Sequence, residues 1–224
     1  MRKNTRKQVA PLRRISPQMT QARAYRKRRL ARYAFMRSFG YDPVAALKFV
    51  LTKVRWRRTP VLDIGTGKGD FAVALARRFD AVTTLDINIG DRRFARLAAI
   101  YAGVADRIRF VVGDGAKLPW RRPRFGLVAS MNAFHHMEYP DRVFAEMCRV
   151  LLPGGILVLA DFDKSGFQIM DDMCRTEGET HPHPPSRFAV WKASLTRQGY
   201  RVELFRDCHL QVLIAISPEK IARS

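Results

Sequence analysis

Apolar positions along this chain fall into short runs separated by amphipathic segments, and the alternation is regular from residue 60 to residue 216. The runs predict strands over 61–64, 81–85, 107–112, 125–131, 156–160, 201–205 and 211–216. Between them, apolar residues at helical spacing predict helices over 70–78, 91–101, 141–151 and 186–198. Two helices precede the first strand. One opens at Ser16-Pro17 and runs to about residue 38; the other opens at Asp42-Pro43 and places Val44, Leu47, Val50, Leu51 and Val54 on one face, ending in Arg55-Trp56-Arg57-Arg58. Strands alternating with helices imply an α/β fold with a parallel sheet covered on both faces, and the last two strands are close enough in sequence to form an antiparallel pair.

Charge divides the chain unevenly. Residues 1–58 carry 18 Lys and Arg against one acid, Asp42, whereas the other 166 residues carry 23 basic and 19 acidic side chains. The net charge of +21 is therefore mostly an N-terminal property. Residues 1–41 read as a basic arm and helix, its first 15 residues without periodicity and expected to be disordered, and residues 42–224 as the folded domain. Residues 1–58 suit a polyanion such as RNA, DNA or an anionic membrane, with arginines interleaved with Tyr25 and Tyr33. It reads equally as a helix docked by the thin apolar line Ala22, Tyr25, Leu30, Tyr33 and Met36, its arginines merely solvated, or as an organellar targeting segment. No apolar run approaches the roughly 18–20 residues of a membrane span. No apolar region follows the basic start, so a secretory signal is not expected, and three cysteines without a CxxC pair suit a reducing compartment. The expected location is cytoplasmic, or an organellar matrix if the arm is a targeting segment.

The candidate chemistry collects at the ends of the strands. Val61-Leu62-Asp63-Ile64-Gly65-Thr66-Gly67-Lys68-Gly69 is a buried strand ending in a carboxylate, a tight turn and the open N-terminus of a helix. Missing side chains there let a ligand lie against the backbone. Asp86 ends the second strand 23 residues after Asp63, close to the roughly 20-residue spacing at which an acid accepts ribose hydroxyls. Asp114 follows the third strand, where it can accept from an exocyclic amine. Asn132 follows the fourth and Asp161 the fifth.

The glycine loop, Leu85-Asp86-Ile87, Gly113-Asp114-Gly115-Ala116-Lys117-Leu118-Pro119, and Arg149-Val150-Leu151-Leu152-Pro153-Gly154-Gly155-Ile156-Leu157-Val158-Leu159 resemble the ordered motifs of class I S-adenosylmethionine-dependent methyltransferases, in the type-11 group. The resemblance covers about residues 44–217. It implies a Rossmann-like seven-stranded sheet, mostly parallel with an antiparallel last strand, and S-adenosylmethionine as cofactor. It further implies that Asp63, Gly65, Thr66, Gly67 and Gly69 line the methionine end, that Asp86 with Ile87 holds the ribose, that Asp114 and Gly115 hold the adenine, and that Asn132 borders the sulfonium.

The acceptor is less constrained. Ser130-Met131-Asn132-Ala133 lacks the Pro-Pro-aromatic loop of enzymes that methylate base amines, and no cysteine stands in the context of a cytosine C5 nucleophile. His135 and His136, just past the cofactor's reactive end, are the catalytic candidates: a neutral imidazole can take a proton from a phenol, enol or amine, although one of the pair can equally be structural. Residues 161–183 form a longer connection than the fold needs and read as a polar substrate lid. Cys174, Glu177, His181 and His183 are metal-ligand types within it, but their spacing matches no closed zinc pattern and no metal is assigned. The sequence thus predicts methyl transfer to a small molecule, with an RNA-directed methyltransferase gripping rRNA or tRNA through the arm, or a non-catalytic RNA-binding or assembly factor, as the alternatives.

Overall fold

A computed structural model describes residues 16–54, 59–181 and 183–219. The expectations for residues 1–15 and for Arg55-Trp56-Arg57-Arg58 lie outside them. Seven strands form one sheet in the order β3-β2-β1-β4-β5-β7-β6, from β1 (Val61–Ile64), β2 (Val82–Asp86), β3 (Ile108–Val112), β4 (Phe125–Met131), β5 (Leu151–Phe162), β6 (Arg201–Asp207) and β7 (Leu210–Ile216). β1 to β5 pair in parallel, and β7 runs antiparallel to both β5 and β6. Every residue of β1 is buried, because side chains on both faces of a central parallel strand are covered by helices.

Alternation along the strands assigns the two faces. Val61, Val82, Leu127 and Val158 pack with α2 (Pro43–Lys53), α3 (Asp70–Ala76) and α6 (Lys164–Thr176). Leu62, Ile64, Leu85 and Leu157 pack with α5 (Pro140–Val150) and α7 (Phe188–Arg197). The chain reverses its direction of travel across the sheet between β1 and β4, so the crevice that a doubly wound fold offers a ligand opens at the carboxyl ends of these two strands.

Element ends shift by a residue or two in several places, and three departures from the sequence expectation bear on the site. α4 (Ile89–Ala102) begins two residues early, because the Asn88 side chain accepts the N–H of Gly90 at 2.8 Å and caps it there. β5 begins at Leu151, which pairs with Phe125 ahead of a register shift that absorbs Pro153-Gly154-Gly155. The stretch expected to be a lid contains α6, capped by Asp163, whose carboxylate accepts the Gly166 N–H at 2.9 Å, and held to the core by Met170 and Met173.

The basic helix α1 (Pro17–Ser38) lies against α4. Ala22, Tyr25 and Tyr33 are buried, with the Tyr25 ring stacked on Phe94 at 5.4 Å, but Leu30, expected in the same line, is 46% exposed. Two arginines of this helix turn inward to carboxylates: Arg29 pairs with Asp70 at the start of α3, and Arg32 with Glu177 beyond α6.

Candidate active site

A cleft of about 530 Å³ opens at the ends of β1, β2 and β4. Its floor is the glycine loop. Gly65 turns with φ +86° and donates its N–H to the Leu85 carbonyl at 2.9 Å; a Cβ on Gly65 would stand 2.3 Å from the Cβ of Ala133. The Gly65 backbone therefore packs against the Ala133 methyl, where a further side chain has no room. Gly67 donates its N–H to Oδ2 of Asp86 at 2.7 Å, and Oδ1 of Asp86 accepts the Asn88 N–H at 2.8 Å. The loop is thus tied to the carboxylate at the end of β2, and each oxygen of that carboxylate keeps a lone pair for a ligand hydroxyl. Asp114 accepts the Ala116 N–H at 2.8 Å, which fixes its side chain at the cleft, and Gly115 beside it lies against Ile64 and Val143. Ile87, 73% exposed, forms the rim.

Asp63, Thr66 and Gly69 do not line this cleft; they stand behind it. Asp63 is fully buried and accepts the Thr84 hydroxyl at 2.7 Å, while Thr66 and Thr84 share a hydroxyl–hydroxyl hydrogen bond of 2.6 Å. Its other oxygen has no partner, and burial pushes the Asp63 carboxyl up to about 7. Gly69 is required by packing, since a Cβ there would stand 2.8 Å from the Cα of Ala95 in α4.

The opposite wall begins at Asn132, held in a left-handed conformation at φ 51°. Its Nδ2 donates to the hydroxyl of Tyr41 at 3.0 Å, and its Oδ1 is buried without a partner. Tyr41, 1% exposed, is a positioning residue that the sequence reading missed, because nothing local links residue 41 to residue 132. His136 lines the same wall, whereas His135 lies behind it, buried, with Nδ1 2.6 Å from Oδ1 of Asp161. Burial, then the neighbouring His135 and His181, lower the pKa of His136 to about 4.

This geometry fits a polar, adenosine-bearing ligand. Two strand-end carboxylates keep lone pairs along the cleft, and Gly65 in its floor has no room for a Cβ.

A family profile described as "Methyltransferase domain" matches residues 62–159. The malonyl-[acyl-carrier protein] O-methyltransferase of Methylococcus capsulatus is 32% identical over 170 residues, 72% of this chain and 62% of that protein. The 27-O-demethylrifamycin SV methyltransferase of Amycolatopsis mediterranei is 39% identical over 106 residues, 46% of this chain and 38% of that protein. A crystal structure of a SAM-dependent methyltransferase from Aquifex aeolicus superposes with a TM-score of 0.58 at 20% identity, covering 76% of this chain and 88% of the other. Fold and strand-end motifs define a class I methyltransferase domain. Over these residues the chain is similar to S-adenosylmethionine-dependent methyltransferases. It spans less than two thirds of the length of the two curated relatives.

Proposed function

We propose that the chain binds S-adenosylmethionine in the cleft and transfers its methyl group to an O, N or C nucleophile of a small molecule. The observation that carries this reading is the loop-anchored Asp86 with Asp114 along one cleft whose opposite wall holds Asn132. Asp86 would accept the ribose hydroxyls, Asp114 and Gly115 would take the adenine, and Gly65 and Gly67 would floor the methionine end. Asn132 would border the positive end of the cofactor. Bound there, the cofactor supplies an electrophilic sulfonium methyl.

The chain's own contribution is then to hold the acceptor in line and to keep its reacting lone pair available. His136 is on the wall the acceptor would share, and His135 acts through its neighbours, being locked to Asp161 behind that wall. Relatives named for a rifamycin and for a carrier-bound malonyl group support a compact organic acceptor. The reading is tested by calorimetric titration with S-adenosylmethionine, and by incubation with methyl-labelled cofactor and separated metabolite, protein and RNA fractions. One equivalent of cofactor should bind, Asp86→Ala should weaken it about 10- to 100-fold through loss of a charge-assisted hydrogen bond, and label should enter the metabolite fraction. Absent binding, or label confined to RNA, would overturn the reading.

A further inference from the structure

Three imidazoles from two distant parts of the chain meet on the acceptor wall. His135 and His136 stand on the short 3-10 turn after β4, and His181 on the irregular segment after α6. One ring nitrogen from each lies within 4.8 Å of the other two. The ring centroids are 4.0 Å apart for His135 and His136, 5.1 Å for His135 and His181, and 5.2 Å for His136 and His181.

Two further features distinguish this group from ordinary packing. Asp161 grips His135 twice: Oδ1 is 2.6 Å from Nδ1 and Oδ2 accepts the backbone N–H at 3.1 Å. A carboxylate on one imidazole nitrogen fixes the tautomer and leaves Nε2 with its lone pair turned outward, the outer support that metal-bound histidines use. Meanwhile Nδ1 of His181 is buried with no hydrogen-bond partner, in a setting where buried polar atoms are nearly always paired.

We propose that His135, His136 and His181 bind a divalent d-block ion of the Zn²⁺ class on the acceptor side of the cleft. The metal-ligand residue types noted in the sequence, to which no metal is assigned there, are not the set assembled here. Glu177 is taken by Arg32, and His183 stacks on Phe167 at 4.0 Å; of that group, His181 alone enters the cluster. Zn–N bonds of about 2.0–2.1 Å in a tetrahedral site place the nitrogens roughly 3.3 Å apart. The nitrogens lie within 4.8 Å of one another, and His181, which no helix or strand holds, can move to close that spacing.

Three protein ligands leave a fourth position open, the pattern of catalytic rather than structural zinc. Since His136 lines the cleft, that position can take an acceptor oxygen. Its use in catalysis rests on the methyl-transfer reading; its existence does not. The ion would lower the pKa of a bound hydroxyl. The O–H proton passes to solvent, the freed lone pair forms the O–CH3 bond, and the electrons of the broken S–CH3 bond stay on the donor's sulfur.

The test titrates metal-stripped full-length protein with Co²⁺ and then Zn²⁺, without cofactor or acceptor. One equivalent of Co²⁺ should bind with the visible absorption of a low-coordinate ion and be displaced by Zn²⁺. His181→Ala, in the irregular segment, should weaken binding at least about 10-fold, and Asp161→Asn about 10- to 100-fold. His209→Gln, on the turn between β6 and β7, should change nothing. No saturable binding, or binding unchanged by His181→Ala, overturns the site. A parallel S-adenosylmethionine titration separates the two proposals. Cofactor binding without Co²⁺ binding overturns the metal site alone, whereas Co²⁺ binding without cofactor binding leaves the site standing and removes the methyl-transfer reading.

Discussion

The two walls of the cleft are built in opposite ways. The wall from β1, β2 and β3 is backbone and strand-end acid: Gly67 donates to Asp86, Gly65 donates to the Leu85 carbonyl, and Asp86 and Asp114 each accept a backbone N–H two residues on. The wall from β4 and β5 is made of side chains converging from remote positions. Tyr41 reaches Asn132 across 91 residues, Asp161 reaches His135 across 26, and His181 closes on both histidines from beyond α6. A wall of the first kind can keep its shape while the acceptor changes, because its ligand contacts depend on strand ends that the sheet already fixes. A wall of the second kind can be re-specified one side chain at a time.

The comparison breaks first at the point where the walls touch. Gly65→Ala places a Cβ against Ala133 and forces an L-residue into φ +86°. The expected cost is about 2–5 kcal/mol of stability, the sum of left-handed strain and overpacking, with cofactor binding lost. Calorimetry and thermal unfolding read both; a variant that binds normally would show that the walls are not in tight contact.

Next in size is the acid behind the first wall. Because the folded-state pKa of Asp63 is raised from 3.8 to about 7, the native protein holds its proton more tightly than the unfolded chain. The stability this gives is present below pH 3.8 and is lost as pH rises to about 7. Asp63→Asn mimics the protonated acid. In the ligand-free protein, its stability relative to wild type should climb through that window by at most about 4 kcal/mol, at 1.36 kcal/mol per pKa unit. Parallel Tm-against-pH curves for the two proteins would contradict the prediction.

The smallest effect sharpens the second wall. Tyr41→Phe removes the hydroxyl that receives Asn132 Nδ2, and should cost about 1 kcal/mol, with a weaker cofactor isotherm and no change in Co²⁺ affinity. An altered Co²⁺ isotherm would mean that Asn132 and the histidine cluster move as one unit.

The same contrast explains what the sequence disclosed. Strands β1 to β5 and the acids after them were legible, because a parallel strand writes its burial as a continuous apolar run and its ligand residue follows at once. Thr66 and Gly69 sit in the same motif, yet one belongs to a buried hydroxyl chain and the other to the α3–α4 contact; spacing alone does not separate lining from support. α6 was hidden because Asp171 and Asp172 interrupt the spacing of Phe167, Met170 and Met173, so the segment read as polar. The histidine cluster was beyond reach for a simpler reason. His181 lies 45 positions from His136, and only the path of the chain after α6 brings the two together.

The inward arginines of α1 give the helix a place in time as well as in space. Arg29 finds its carboxylate 41 residues later and Arg32 finds Glu177 145 residues later. During synthesis this helix emerges before either partner: the Arg29–Asp70 contact becomes available once residue 70 is made, whereas the Arg32–Glu177 contact must await residue 177.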